Sequence, residues 1–286
     1  AKIADLFMET SSGVPYTNYT SYDYQRMWER RNDVTEHPDR PWVVTEMRNG
    51  RLEYVYLANF DWYNYMYDDS RPTQDYNVSV RGGSKNVSYM VSGRYYHQDG
   101  IFRIGPDDFD SFNTRAKVDV QICPWLKLTS NTRFFHSKYH YAGNEYRRPT
   151  LHALASFVPV NPDGTFVSHT TLTQSAAHYI MDGYSAMLHK GVQFGTQKIT
   201  ELTSSWILAA DITDKLKFNV DFSYKFGYQR SPYRDATVQY SQYPGEIATE
   251  STLYIDQYSD TVNERNDYVA NAFLSYADTW NEDHDF

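Results

Sequence analysis

Two stretches of this chain alternate apolar and polar side chains with a period of two for longer than any helix could tolerate. Along 112–122, Phe112, Ala116, Val118, Val120 and Ile122 share one face, while Asn113, Arg115, Lys117, Asp119 and Gln121 take the other. Along 216–226, Leu216, Phe218, Val220, Phe222, Tyr224 and Phe226 oppose Lys217, Asn219, Asp221, Ser223 and Lys225. Successive side chains of a strand point to opposite faces, so each stretch predicts a strand with one apolar side. Shorter versions run through Tyr76–Val80, Val87–Tyr95, Leu126–Phe134, Leu202–Ile212 and Tyr268–Tyr276, giving seven strands. Most are close to the ~9–11 residues with which a tilted strand crosses a bilayer.

The connections alternate in length. Short ones, rich in Gly, Pro, Asn or Asp, fall at 82–86, 123–125, 213–215 and 281–284. Such chemistry suits tight turns. A brief loop surrounds Gly105-Pro106-Asp107-Asp108, and two long insertions rich in Tyr, His, Pro and Gly occupy about 141–197 and 229–264. Long connections therefore gather at one end of an up-and-down meander, the pattern of outer-membrane barrels. The apolar sets are free of charge, whereas Arg81, Arg94, Arg115, Lys117, Asp119, Arg133, Asp221 and Lys225 lie opposite them. Tyr95, Tyr224, Tyr268 and Tyr276 sit near the ends of apolar runs, where aromatic girdles form.

Residues 1–73 read differently. Tyr24, Met27 and Trp28 recur at helical spacing, predicting a helix over Ser21–Arg31 with Asp23 supporting its first turn. Around it, Pro15, Pro38, Pro41 and Pro72 argue for ordered loop, and Trp42, Tyr54, Tyr56, Phe60, Trp62, Tyr63 and Tyr65 offer aromatic surface to pack or to bind. The division expected is thus a loop region with a short helix and a possible strand remnant over 1–73, then barrel strands over 74–286.

Composition removes other classes. The mean hydropathy of -0.69 and the absence of a long apolar run exclude a helical membrane span. With 17% aromatic residues the chain has ample surface to bury, unlike a disordered segment. A net charge of -9 with no Lys/Arg cluster makes nucleic acid a poor partner. The single Cys123 can form no internal disulfide. His136 and His140 are spaced unfavourably for one metal ion, and Asp107, Asp108 and Asp110 read as a solvated turn rather than a Ca²⁺ site. No nucleophile elbow, phosphate loop or H-E-x-x-H occurs, so neither a cofactor nor an enzymatic activity is expected.

Four segments carry a family likeness: Asp61-Trp62-Tyr63-Asn64; Gln74-Asp75-Tyr76-Asn77-Val78-Ser79-Val80 with Gly82-Gly83-Ser84-Lys85-Asn86-Val87-Ser88-Tyr89; Gly93-Arg94-Tyr95-Tyr96-His97-Gln98-Asp99-Gly100-Ile101-Phe102; and Trp125-Leu126-Lys127-Leu128. In this order they resemble the early barrel of SusC/RagA-type TonB-dependent outer-membrane transporters, over roughly 20–135. The resemblance implies an all-β, antiparallel up-and-down transmembrane barrel segment of seven to eight strands, within a barrel of about 22. It further implies import of glycan or peptide oligomers, a SusD-like lipoprotein partner, TonB acting through a region absent from this chain, and contact with outer-membrane lipid. The plug and the carboxy-terminal aromatic strand of that family are not seen, which makes a piece of a longer polypeptide the expectation.

The alternative is a non-transporting module, either a β-sandwich lectin or adhesin or a passive porin-like barrel. For cargo, aromatic rings at the end bearing the long loops are the candidates: Tyr139, Tyr141, His152, Tyr179 and Tyr184. Such rings cover the apolar face of a sugar or peptide while their polar tips bond its hydroxyls or amides. Packing of the long insertion is the competing role for each.

Overall fold

In the computed structural model the described residues are 2–13, 15, 17–104, 107–142, 154–167, 194–250, 256–280 and 284–285. The N-terminal part contains helices α1 (Lys2–Ser12) and α2 (Ser21–Glu29), strands β1 (Val43–Arg48) and β2 (Arg51–Tyr56), and the short helix α3 (Trp62–Met66). There follow β3 (Thr73–Gly83), β4 (Val87–Gln98), β5 (Asp108–Cys123), β6 (Leu126–Ala142), β7 (Phe194–Asp211) and β8 (Leu216–Asp235). A small pair, β9 (Val238–Tyr240) and β10 (Ala248–Glu250), precedes β11 (Gln257–Tyr276), and the two-residue strands β12 (Thr279–Trp280) and β13 (His284–Asp285) pair at the end.

Strands β3 to β8 and β11 form one antiparallel seven-stranded sheet in which every neighbour is also the next long strand along the chain. The register joins the seven apolar faces into one. Val80, Val91, Ala116, Thr132, Ser204, Tyr224 and Tyr268 stand opposite one another from edge to edge. Two rows away lie Val87, Val120, Leu128, Leu208, Val220 and Ala272. Since a slip of one residue would turn a strand's apolar set to the other side, this agreement fixes the pairing. The run Leu216–Phe226, at ~3.4 Å per residue and a tilt of ~40°, spans a band ~26 Å tall.

Nothing in the described chain covers that band. Val78, Phe222, Tyr268 and Leu274 are exposed, and Ala210 is the one sheet residue among the buried hydrophobics. The buried apolar side chains gather instead beyond one end of the sheet, where Val43, Tyr54, Tyr56, Ala58, Trp62, Met66, Phe157, Val158 and Val167 form the core.

The structure corrects the expected loops. Strand β6 continues to Ala142 and β7 begins at Phe194, while β8 runs to Asp235 and β11 starts at Gln257, so the second insertion shrinks to 236–256. Beyond the apolar band these strands are polar on both faces and lose the alternation that marks them. Cross-strand pairing of Arg230 with Asp260, at 2.6 Å, carries the ladder on. Residues 43–56, expected as loop, form the β1–β2 hairpin. Its turn is Asn49-Gly50, with φ of 48° and 81°, the left-handed pair that a two-residue hairpin demands.

Candidate functional site

All the connections at the loop end converge. The segment ahead of β3 supplies α2, the β1–β2 hairpin and α3. From the β6–β7 connection, Ser156 O and Ala155 O accept hydrogen bonds from the backbone of Ala58 (3.1 Å) and Phe60 (2.8 Å), and Leu154 O accepts one from the Trp62 indole (3.1 Å). Tyr54 and Tyr56 donate to Asp163 (2.6 Å) and Asn161 (2.9 Å) of the same connection. The β8–β11 connection joins through Ser241, whose backbone NH donates to Phe166 O at 2.8 Å, and through Glu246, paired with Arg51 at 2.9 Å. Finally, Arg103 NH donates to Met66 O at 2.9 Å, which ties in the β4–β5 connection.

Helix α2 is locked to this core by charge. Thr20 and Asp23 form a reciprocal capping box, a device worth ~1 kcal/mol. Asp23 is wholly buried, and Arg48 of β1 donates to both of its carboxylate oxygens at 2.7 and 2.9 Å. Arg26 bonds Asp23 as well and reaches Glu46. Burial pushes the Asp23 carboxyl up, yet the bonds from Arg48, Thr20 and Arg26 outweigh it and hold the group well below the usual carboxylate range. Glu46 is held down chiefly by Arg26. Burial raises the Tyr19 hydroxyl far above its ordinary value, keeping it a neutral donor to Tyr56 O at 2.7 Å.

Most aromatic residues of the N-terminal part therefore pack rather than face solvent. Phe60 makes edge contacts with Trp42, Trp62 and Tyr65 at 6.0, 4.9 and 5.3 Å between ring centres. Exposed rings remain at Tyr22, Trp28 and Tyr63. Beside the last lies an open groove of 710 Å³ lined by Val34, Asn59, Phe60, Asp61, Trp62, Asn64 and Ala155.

Of the five residues singled out for cargo, Tyr139 and Tyr141 are brought together, stacked at 5.6 Å on the polar face of β6. His152, Tyr179 and Tyr184 lie outside the described residues. Two further rings extend the pair: Phe109 at 6.5 Å from Tyr139, and Tyr96 at 6.1 Å from Phe109. The signal for them lay in the sequence, as aromatic residues on the polar side of the period-two pattern near strand ends. Tyr141 leans over Gly195, directly opposite it on β7, where a side chain would meet the phenol ring at 2.2 Å. Glycine here makes room for the ring. Below this ladder the same face carries the Arg94–Asp75 pair at 2.6 Å, then Arg115 opposite Arg133. His136 bonds Thr200 (3.0 Å) and His140 bonds Asp108 (2.8 Å), both on the apolar side beyond the band.

No protein-family model matches the sequence, and no curated protein matches it either. Among solved structures, a chain of the RagAB peptide importer in its "open-open" state superposes with a TM-score of 0.58 at 18% identity, over 79% of this chain and 24% of that one. A chain of the RagAB peptide transporter gives a TM-score of 0.48 at 15% identity, over 78% and 28%. The chain thus spans about a quarter of the length of the importer chain it matches. By its fold, this is a seven-stranded up-and-down run of antiparallel strands of the kind found in a RagAB peptide importer chain.

Proposed function

We propose that the chain forms part of the wall and outer mouth of a SusC/RagA-type outer-membrane importer, energised by TonB through other parts of the protein and working with a SusD-like surface lipoprotein. The observation that carries this reading is the uncovered apolar band: seven strands in matched register present, on one face, a charge-free band that no described segment packs against. Lipid is the solvent that such a face suits. A β-sandwich would bury it under a second sheet.

In this reading residues 1–73, with the long connections, are the mouth and 74–286 the wall. The cargo is an oligomer, and peptide is favoured over glycan by the likeness to a peptide importer. It meets the ladder Tyr96, Phe109, Tyr139 and Tyr141 on the inward face, with His152, Tyr179 and Tyr184 from the adjoining connection completing the surface. Stacking and apolar burial do the binding, and no bond is made or broken.

The test is fractionation followed by uptake. The protein should stay with outer membranes and need detergent for release, and cells lacking it should fail to take up labelled oligopeptides. Recovery in the aqueous phase without detergent would sink the membrane reading. Tyr139→Ala and Tyr141→Ala variants should import less while keeping their abundance; unchanged uptake in both would place the cargo surface elsewhere.

A further inference from the structure

The apolar face ends abruptly toward the loop end. Its last row is Tyr76, Tyr95, Phe112, His136, Thr200, Tyr228 and Glu264, with phenyl or phenol rings on four of seven strands and an imidazole on a fifth. The next row on the same face is Gln74, His97, Asp110, Lys138, Lys198, Arg230 and Val262. Lys138, Lys198 and Arg230 therefore stand side by side on β6, β7 and β8, each directly opposite the next. Directly opposed like charges destabilise a sheet unless an anion joins them.

The flanking carboxylates are already engaged. Asp260 grips Arg230 at 2.6 and 2.8 Å. Asp110, opposite Lys138, takes His97 and the Tyr95 hydroxyl, each at 2.8 Å. Asp108 is bonded to His140 at 2.8 Å. Lys198, exposed between two cations, has no carboxylate partner among the described residues.

We propose that Lys138, Lys198 and Arg230 bind the phosphate of an anionic lipid headgroup in the outer leaflet. The placement carries the inference: the three cations face the side that carries the apolar band, one row above its aromatic margin, at the height where headgroup phosphates lie. Their aliphatic stems can follow the apolar margin while the charged tips reach the phosphate. Arg230, steadied by Asp260, is a fixed donor, and Lys198 supplies the uncompensated charge.

The inference rests on the membrane reading above, and one experiment separates them. The protein, purified in a non-ionic detergent, is titrated with a diphosphorylated glucosamine lipid, with its dephosphorylated counterpart and with phosphatidylcholine, and bound lipid is counted by native mass spectrometry. The diphosphorylated lipid should be retained and the other two lost. Lys198→Gln should weaken retention about fivefold, and Lys138→Gln with Lys198→Gln further, at the cost of about one charge each near a membrane surface. Lys198→Arg should keep it, and Lys127→Gln on the polar face should not alter it. Far-UV circular dichroism on every variant confirms folding, and Lys198→Gln alone suffices if the double variant fails to fold. Unchanged retention in Lys198→Gln, or equal binding of the dephosphorylated lipid, overturns the proposal. Displacement by millimolar inorganic phosphate overturns the lipid source, leaving a free-anion site. If the protein stays in solution without detergent, the membrane reading falls first.

Discussion

The sheet and the module at its loop end are built from the same aromatic-rich composition, yet they are turned opposite ways. In the module Tyr54, Tyr56, Trp62 and Phe157 are buried around a neutral core, and the charges of Asp23, Arg26, Glu46 and Arg48 are locked into one network. In the apolar band of the sheet the rings of Phe222, Tyr268 and Tyr276 are uncovered, while across the height of that band the charges line the other face. One region follows the rules of a water-soluble core; the other leaves its apolar side uncovered, the arrangement a lipid-facing wall requires. Composition alone therefore does not tell which solvent a segment meets. Burial of the apolar side does.

The two regions part most sharply at Asp23. Removing it with Asp23→Ala leaves Arg48 and Arg26 without their shared anion, and breaking a buried charge network costs ~3–5 kcal/mol. Hydrogen exchange should show 20–67 and 154–167 losing protection with the sheet unmoved; loss across the sheet would mean the two regions are one cooperative unit. Next in size, Val118→Arg or Val220→Arg in the apolar band should cost ~2–4 kcal/mol in urea unfolding from lipid vesicles. Asn219→Arg, on the opposite face, should cost far less. Equal damage at both faces would mean that the two sides of the sheet meet the same solvent.

Gly195→Ala is smaller. It drives a methyl into the Tyr141 ring, and overpacking of this sort costs ~1–3 kcal/mol, read as a lowered melting temperature with weakened cargo uptake. Acid is the mildest probe. Asp23 and Glu46 have carboxyls held below their unfolded values, so their stabilisation is full at neutral pH and drains away as pH falls below the ordinary carboxylate range of ~4. The module should open before the sheet on acidification, followed by tryptophan fluorescence and far-UV circular dichroism in parallel.

Much of the sheet was legible. Seven strands and their apolar faces follow from side-chain period alone, because the period reports which side meets which solvent. Where the apolar band stops, as at 229–235 and 257–264, so does the signal, and the strand ends went unread. The Asn49-Gly50 hairpin was readable from its turn residues and was masked by the prolines around it. The module's core was not legible in the same way. Its contacts join Tyr54 to Asp163, Trp62 to Leu154 and Arg51 to Glu246, partners far apart in sequence that no local pattern announces. The aromatic ladder was half visible: Tyr139 and Tyr141 follow from their place at a strand end, whereas Phe109 and Tyr96 are joined to them by cross-strand register.

That convergence of connections also sets an order in time. The pairs β3–β4, β5–β6 and β7–β8 meet through turns of a few residues, so these hairpins of the sheet can form from local contacts as the chain emerges. The module cannot. Its closing contacts must wait until Ser241 and Glu246, carried past β8, return to Phe166 and Arg51, and loop closure over such separations is slow. The part of the molecule nearest the N-terminus is therefore among the last to settle, and for an interval during folding the short-turn hairpins of the sheet stand before the module that lies beyond their loop end.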